Sequence, residues 1–100
     1  MTIEVGKVYT IKLNSGEELV AKVNADVVGN YISVVDPLSV APNAKGMGLI
    51  PSLFTSDPDQ AVTINTNCIS MYAEAEESIK LKYLEATTGI QVPYKKIILG

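Results

Sequence analysis

Apolar and polar residues alternate along two early stretches, 9–13 and 19–23, as they do in strands with one buried face. Tyr9, Ile11 and Leu13 fall on one side of the first stretch. Leu19, Ala21 and Val23 point inward from the second, against Val20, Lys22 and Asn24. Between the two lie Asn14, Ser15 and Gly16, short polar side chains and then a residue free to take positive φ, which is hairpin chemistry. A second turn at 26–30 leads into the β-branched and aromatic run 31–35, and the strand is expected to reach about Val40, with an edge or bulge at Pro37. Residues 61–65 and 68–72 predict two further short strands across a tight turn at Thr66 and Asn67.

The period then changes. Over 74–87, Ile79, Tyr83 and Ala86 share one helical stripe with Leu84 beside it. Glu74, Glu76 and Glu77 suit the positive end of such a helix, Glu76 stands four residues before Lys80, and Gly89 is placed to cap the last turn. Residues 91–99 read as an extended tail whose Ile97, Ile98 and Leu99 need cover. Five strands followed by one helix predict a mainly β chain: a small, bent, five-stranded antiparallel barrel over about 7–72, with a C-terminal helix and extended tail over about 73–100. A second strand of small and branched residues can bend and serve both halves of such a barrel. One hundred residues suit one domain, 1–100, with one core.

The pattern breaks from 41 to 60, where Pro42, Gly46, Gly48, Pro51 and Pro58 punctuate a connection longer than the usual hairpin loop of about two to five residues. Inside it, Met47, Leu49, Ile50, Leu53 and Phe54 are too apolar for an isolated loop in water. Two readings stand: the flanking strands extend into a long hairpin, or the loop docks on a partner protein through Leu49, Ile50, Leu53 and Phe54.

The meander of 9–38 resembles the first motif of the Sm-like (LSm, Hfq-type) proteins. The residues that carry the resemblance are Leu13, Gly16, Val23, Asp26, Asn30, Ile32 and Val34, together with the turn of form Asn-Ser-Gly. More than half the chain follows the family's order of strands, and the resemblance suits a diverged, phage-encoded member. It implies an SH3-like (Sm-like) barrel and a homo-oligomeric ring closed through the strands at 61–65 and 68–72. It also implies a base pocket at Asp26 and Asn30, with a stacking side chain at position 28. Three departures stand out. No helix of useful length is expected before the first strand; Asn65 and Thr66 replace the Arg-Gly pair of the eukaryotic and archaeal members; and Val28 has no π face to stack on a base. The Hfq-type Lys-His falls opposite Thr66 and Asn67, whereas Ile69 and Ser70 match that branch.

Composition narrows the chemistry. The net charge is −3, the pI about 4.8, and all eight basic residues are lysine. Without arginine there is no planar fork to grip phosphates or guanine edges two bonds at a time. Histidine is absent, which removes the usual metal ligand and the usual acid–base catalyst near pH 7. No metal spacing, P-loop or nucleophile elbow is present, so no enzyme and no cofactor is expected. Hydrophobic content of 47% with 19% charged residues belongs to a folded chain. No apolar run is long enough to span a membrane, and residues 1–4 have no signal-peptide character. The lone Cys68 forms no internal disulfide, fits a cytoplasmic compartment, and is expected to be a small buried residue.

The RNA-binding candidates implied by the resemblance are Asp26, Asn30, Tyr31, Asn65 and Asn67. Against them stands the plainer account of Asp26 and Asn30 as residues that satisfy turn backbone groups, and of Tyr31 as an interface or core residue. Lys95 and Lys96 offer a phosphate contact or merely a solvated face. Two functions follow: a ring that serves as a binding and scaffold module with weak single-stranded RNA association, or a phage structural or adaptor protein that binds no nucleic acid.

Overall fold

The structure, a computed structural model, describes residues 1–88. The expected cap at Gly89, the tail at 91–99 and the pair Lys95 and Lys96 lie outside the described residues. Six strands and one helix follow in order: β1 (Val8–Leu13), β2 (Glu18–Val28), β3 (Tyr31–Asn43), β4 (Gly46–Pro51), β5 (Val62–Asn65), β6 (Ile69–Glu74) and α1 (Glu77–Thr88). A 3-10 turn, Thr66–Cys68, joins β5 to β6. All pairings are antiparallel, in the order β4-β3-β2-β1-β6, with β5 also on β3.

The sixth strand corrects the expected count of five. Residues 46–51 are not loop: β3 runs on to Asn43, turns at Ala44 and Lys45, and returns as β4 in register from Asn43–Gly46 to Leu38–Pro51. Gly46 takes φ 119° at this turn, a conformation that side chains resist. The long-hairpin reading of the 41–60 segment therefore holds for its first half, and only 52–61 connects β4 to β5 without strand structure.

The expected bulge at Pro37 is present. Across β2 and β3 the register jumps from Val20–Leu38 to Lys22–Val35, so Asp36 and Pro37 oppose Ala21 alone. Asp36 has φ 47°, the left-handed conformation that Asp tolerates better than most residues. The bend changes the outer neighbour of β3. Residues before it pair with β5 and residues after it pair with β4.

The bent sheet buries one face within itself. Tyr9, Ile11, Leu19, Ala21, Val23, Ile32 and Val34 form this inner core, with Leu13, Val62, Ile64 and Ile69 packed at its margin. The sheet does not close, because β5 and β6 meet only through the 3-10 turn. The other face is not left to solvent as the polar alternation of β2 suggests. Val8, Val20 and Leu38 lie under α1, where Ala75 and Tyr83 complete a second core flanked by Ile79, Ala86, Val40 and Leu49.

The helix begins three residues later than the acidic run predicts. Glu74 still pairs with Tyr9 in the sheet, and the Ala75 N–H donates to Val8 O at 3.1 Å. Only from Glu76, whose carbonyl accepts from Ile79 and Lys80, does the helical bonding start. The predicted stripe is right: Tyr83 is 1% exposed, and Ile79 and Ala86 are half-buried beside it, while Leu84 stays exposed.

Candidate functional site

Three turns gather at one end of the barrel and are tied together mostly through backbone. The Asn14 N–H donates to Cys68 O at 2.7 Å, and the Asn14 side-chain amide donates to Asn67 O at 2.8 Å. The Thr66 N–H donates to Asn30 O, also at 2.7 Å. Asn65 caps the 3-10 turn: its Oδ1 accepts from the Asn67 N–H at 2.9 Å. Gly29 and Asn30 make the tight turn between Val28 and Tyr31, with Gly29 at φ 57°. Tyr31 then pairs directly with Asn65.

This geometry brings Asn30, Tyr31, Asn65 and Asn67 into one rim. Asp26 lies behind them on β2, exposed, in the irregular stretch between the Ala25–Ser33 and Val28–Tyr31 pairs. The rim residues differ in what remains free to act. The Asn65 side-chain carbonyl is committed to the turn. The Asn30 and Asn67 backbone carbonyls serve structure, while both side chains stand exposed. Tyr31 is 56% exposed and Val28 73%. Tyr31, not Val28, is therefore the aromatic face this rim presents.

The electrostatics of the rim are unhelpful to phosphate. Segments 14–17, 29–31 and 65–68 contain no lysine, while Glu17 stands among them and Asp26 behind. Elsewhere Lys7, Lys12 and Lys80 are engaged with carboxylates. Lys7 meets Glu4 at 2.5 Å and Glu74 at 3.6 Å; Lys80 meets Glu74 at 2.5 Å and Glu77 at 3.3 Å; Lys12 meets Glu18 at 4.0 Å. The hydrogen bond from Lys80 holds the Glu74 carboxyl below its usual range, and raises Lys80 in return. Lys7 is raised first by its hydrogen bond to Glu4. The partners of Lys80 are thus Glu74, across the helix start, and Glu77, not the Glu76 that helical spacing suggests.

Cys68 is exposed, contrary to the expectation of a buried thiol. It ends the 3-10 turn at the surface, and its carbonyl, not its sulfur, does the structural work. Among the described residues no group of three or more His, Cys, Asp or Glu side chains is placed to hold a metal ion, and no helix is long and apolar enough to cross a membrane.

The four docking candidates sit apart from the rim, around the far half of β3. Leu49 and Ile50 stand on β4, opposite Val40 and Ser39. Leu49 is half-buried against the second core, so its apolar character is explained by the fold itself. Ile50, Leu53 and Phe54 are 45%, 50% and 79% exposed.

One contact was invisible to periodicity. The Tyr83 hydroxyl reaches into the bulge of β2 and β3, donating to Val35 O at 2.7 Å and accepting from the Lys22 N–H at 3.2 Å. It joins one backbone group from each strand where their register breaks. Burial pushes this hydroxyl up to about 12, with the nearby Asp36 charge adding to the effect.

No known protein-family model matches this sequence, and no curated protein matches it.

Proposed function

We propose that the chain is the subunit of a homo-oligomeric ring that works as a binding and scaffold module. The observation that carries this reading is the pair of strands at the opening of the sheet. Among the described residues β5 pairs only with β3, and β6 only with β1. Each therefore has a free edge, and exposed edges of this kind are templates for another chain. Pairing β5 of one copy with β6 of the next is a heterologous contact, which repeats around an axis and closes if the rotation permits. Met71 and Tyr72, 63% and 36% exposed on β6, supply apolar surface beside that edge. The resemblance to Sm-like proteins supports the same arrangement.

A second reading gives the rim a single-stranded RNA ligand, and the joining of Asn30, Tyr31, Asn65 and Asn67 by the Thr66–Asn30 hydrogen bond favours it. Without a lysine in the rim, each site is weak: one neutral hydrogen bond contributes about 0.5–1.5 kcal/mol and one stacked base about 1–3 kcal/mol. Repetition around a ring would multiply such contacts. We therefore place scaffolding first and RNA second.

Light scattering and native mass spectrometry test the ring directly. The expected result is one closed oligomer, with Met71→Glu shifting it towards monomer while the circular dichroism spectrum stays unchanged. A monomer at high micromolar concentration would sink the proposal. Labelled oligo-U and oligo-A in a salt series test the rim. Submicromolar binding that weakens with log salt and is lost in Asn30→Ala would put RNA first.

A further inference from the structure

Among the described residues β4 pairs only with β3, so its outer side is a third free edge of the sheet. The register says which backbone groups face that way. The Ser52 N–H donates to Pro37 O at 2.9 Å, and bonded pairs alternate with unbonded ones along an antiparallel ladder. Ile50, Gly48 and Gly46 therefore bond to β3. Met47 and Leu49 turn their N–H and carbonyl groups outward, and Pro51, which has no N–H, ends the row. Edge strands are commonly guarded by charge, yet β4 carries no charged side chain. Its Met47 and Ile50 are 44% and 45% exposed.

We propose that this edge pairs with the β4 edge of a second copy, antiparallel, about a two-fold axis at Gly48. Only Met47 and Leu49 offer both a donor and an acceptor on this side, and pairing Met47 with Leu49 of the other copy, in both directions, uses every one of them. Gly48 then faces Gly48, and Ile50 faces Gly46. A two-fold contact requires a surface that complements itself, and three features supply it. On one face, each Ile50 side chain meets a glycine, which leaves room for it. On the other, each Met47 lies over Leu49 of the second copy. On that same face, Lys82 and Glu85 of α1 stand beside Met47 and Leu49, so the two-fold turns the lysine of each copy towards the glutamate of the other. Lys45 falls opposite Pro51, so no like charges meet along the strands.

These features favour a copy of the chain over an unrelated strand, which would need its own small residue opposite Ile50 and its own charges in reverse. One six-residue strand makes a contact smaller than the roughly 1,200–2,000 Å² of stable interfaces, so the dimer is weak and depends on concentration. The contact uses no residue of β5 or β6 and stands whether or not the ring forms. Around a ring it would repeat, joining one ring to another.

The test uses the full chain with Cys68→Ser, so that the native thiol does not compete. In the proposed register the two Gly48 Cα atoms stand about 4.5 Å apart, within disulfide range. Gly48→Cys should cross-link under mild oxidation, whereas Ile50→Cys, which is out of register with its own copy, should not. A Cβ at Gly48 would stand 3.0 Å from the Asn43 side-chain nitrogen, the far end of a side chain that can turn aside. Lys82→Glu should lower the yield of linked dimer severalfold, and adding Glu85→Lys should restore it. Met71→Glu should leave the Gly48→Cys link in place, which keeps this outcome separate from that of the ring. In the parent protein the Met47 and Leu49 amides should exchange about tenfold more slowly at high protein concentration than in dilute solution. Failure of Gly48→Cys to link, or linking at Ile50→Cys alone, overturns the proposal. So does protection at 47 and 49 that is the same at every concentration, which would mean that the chain covers its own edge.

Discussion

The two cores on either side of β2 solve different problems. The inner one is made by the sheet alone: β1, β2 and β3 curve until Ile11, Val23, Ile32 and Val34 touch, each at 2% exposure or less. Among the described residues no polar side chain enters it beyond the Tyr9 hydroxyl, which accepts from the Glu4 N–H at 2.8 Å near its margin. The outer core cannot close by curvature, because it lies on the convex face. It needs an added element, α1, and it is centred on one aromatic residue with a polar end. Curvature thus disposes of one face without directional bonds. The other face is covered by a helix whose position depends on a hydroxyl set into the bulge.

The sharpest way to break this contrast is to compare deletions in the two cores. Ile32→Ala removes buried methyl groups where the surrounding strands cannot collapse, and should destabilise the fold by about 2–5 kcal/mol. Urea unfolding should stay a single transition, because every strand of the inner core shares the loss. A cost below about 1 kcal/mol would mean that the sheet yields more easily than its burial implies.

Tyr83→Phe is the next in size and acts on the outer core alone. It keeps the ring but leaves the Lys22 N–H and Val35 carbonyl without their shared partner, at a cost of about 1–3 kcal/mol. The pH dependence identifies the cause. An unfolded tyrosine titrates near 10, while this hydroxyl is pushed up to about 12. Below pH 10 the group is neutral in both states and its contribution is complete. Between 10 and 12 the unfolded chain loses the proton and the folded chain keeps it, so stability falls as pH rises. Tyr83→Phe should remove that part of the alkaline loss, and an unchanged alkaline limb would refute the assignment.

The inner core was legible in the sequence because period-2 alternation over 9–13 and 19–23 names its residues directly. The bulge was legible because Pro37 cannot donate to a ladder. The outer core was legible only from the helix side. Ile79, Tyr83 and Ala86 marked a face, but period alone does not say that Val20 is its counterpart, nor that the Tyr83 hydroxyl replaces a rung. β4 is ambiguous in the sequence because Gly46, Gly48 and Pro51 punctuate a strand just as they punctuate a loop. Carboxylates suit a helix start, so local pattern puts Glu74 in the helix; its pairing with Tyr9 is a contact between residues distant in sequence, which no local pattern carries. At the rim, Asn30, Tyr31, Asn65 and Asn67 come together and Asp26 does not, and the capping role of the Asn65 side chain depends on the 3-10 turn, which the strand pattern does not announce.

The smallest effect expected lies where the helix is fastened to the sheet from outside. Glu74 ends β6 and receives Lys80 from α1 and Lys7 from the segment before β1, so one carboxylate connects three parts of the chain. All three side chains are exposed in part, which limits what the pairs contribute. The sign at each end of the pH scale is nonetheless defined. The Glu74 carboxyl sits below its usual value, so the pairs stabilise the fold above the unfolded carboxyl value and fade as pH falls through the folded one. Lys7 and Lys80 sit above 10.5, so the same contribution is complete below that value and is lost as pH climbs past their folded values. Glu74→Gln should therefore lower the thermal midpoint near neutral pH by less than Tyr83→Phe does. The difference from the parent should vanish in acid, and it should shrink in about 1 M salt, where the Debye length is about 3 Å. Because the pairs span only the outer core, amide exchange in α1 should rise in this variant while Ile32 and Val34 stay protected. A uniform rise through both cores would show that the helix and the sheet open together, and that the two cores are one cooperative unit.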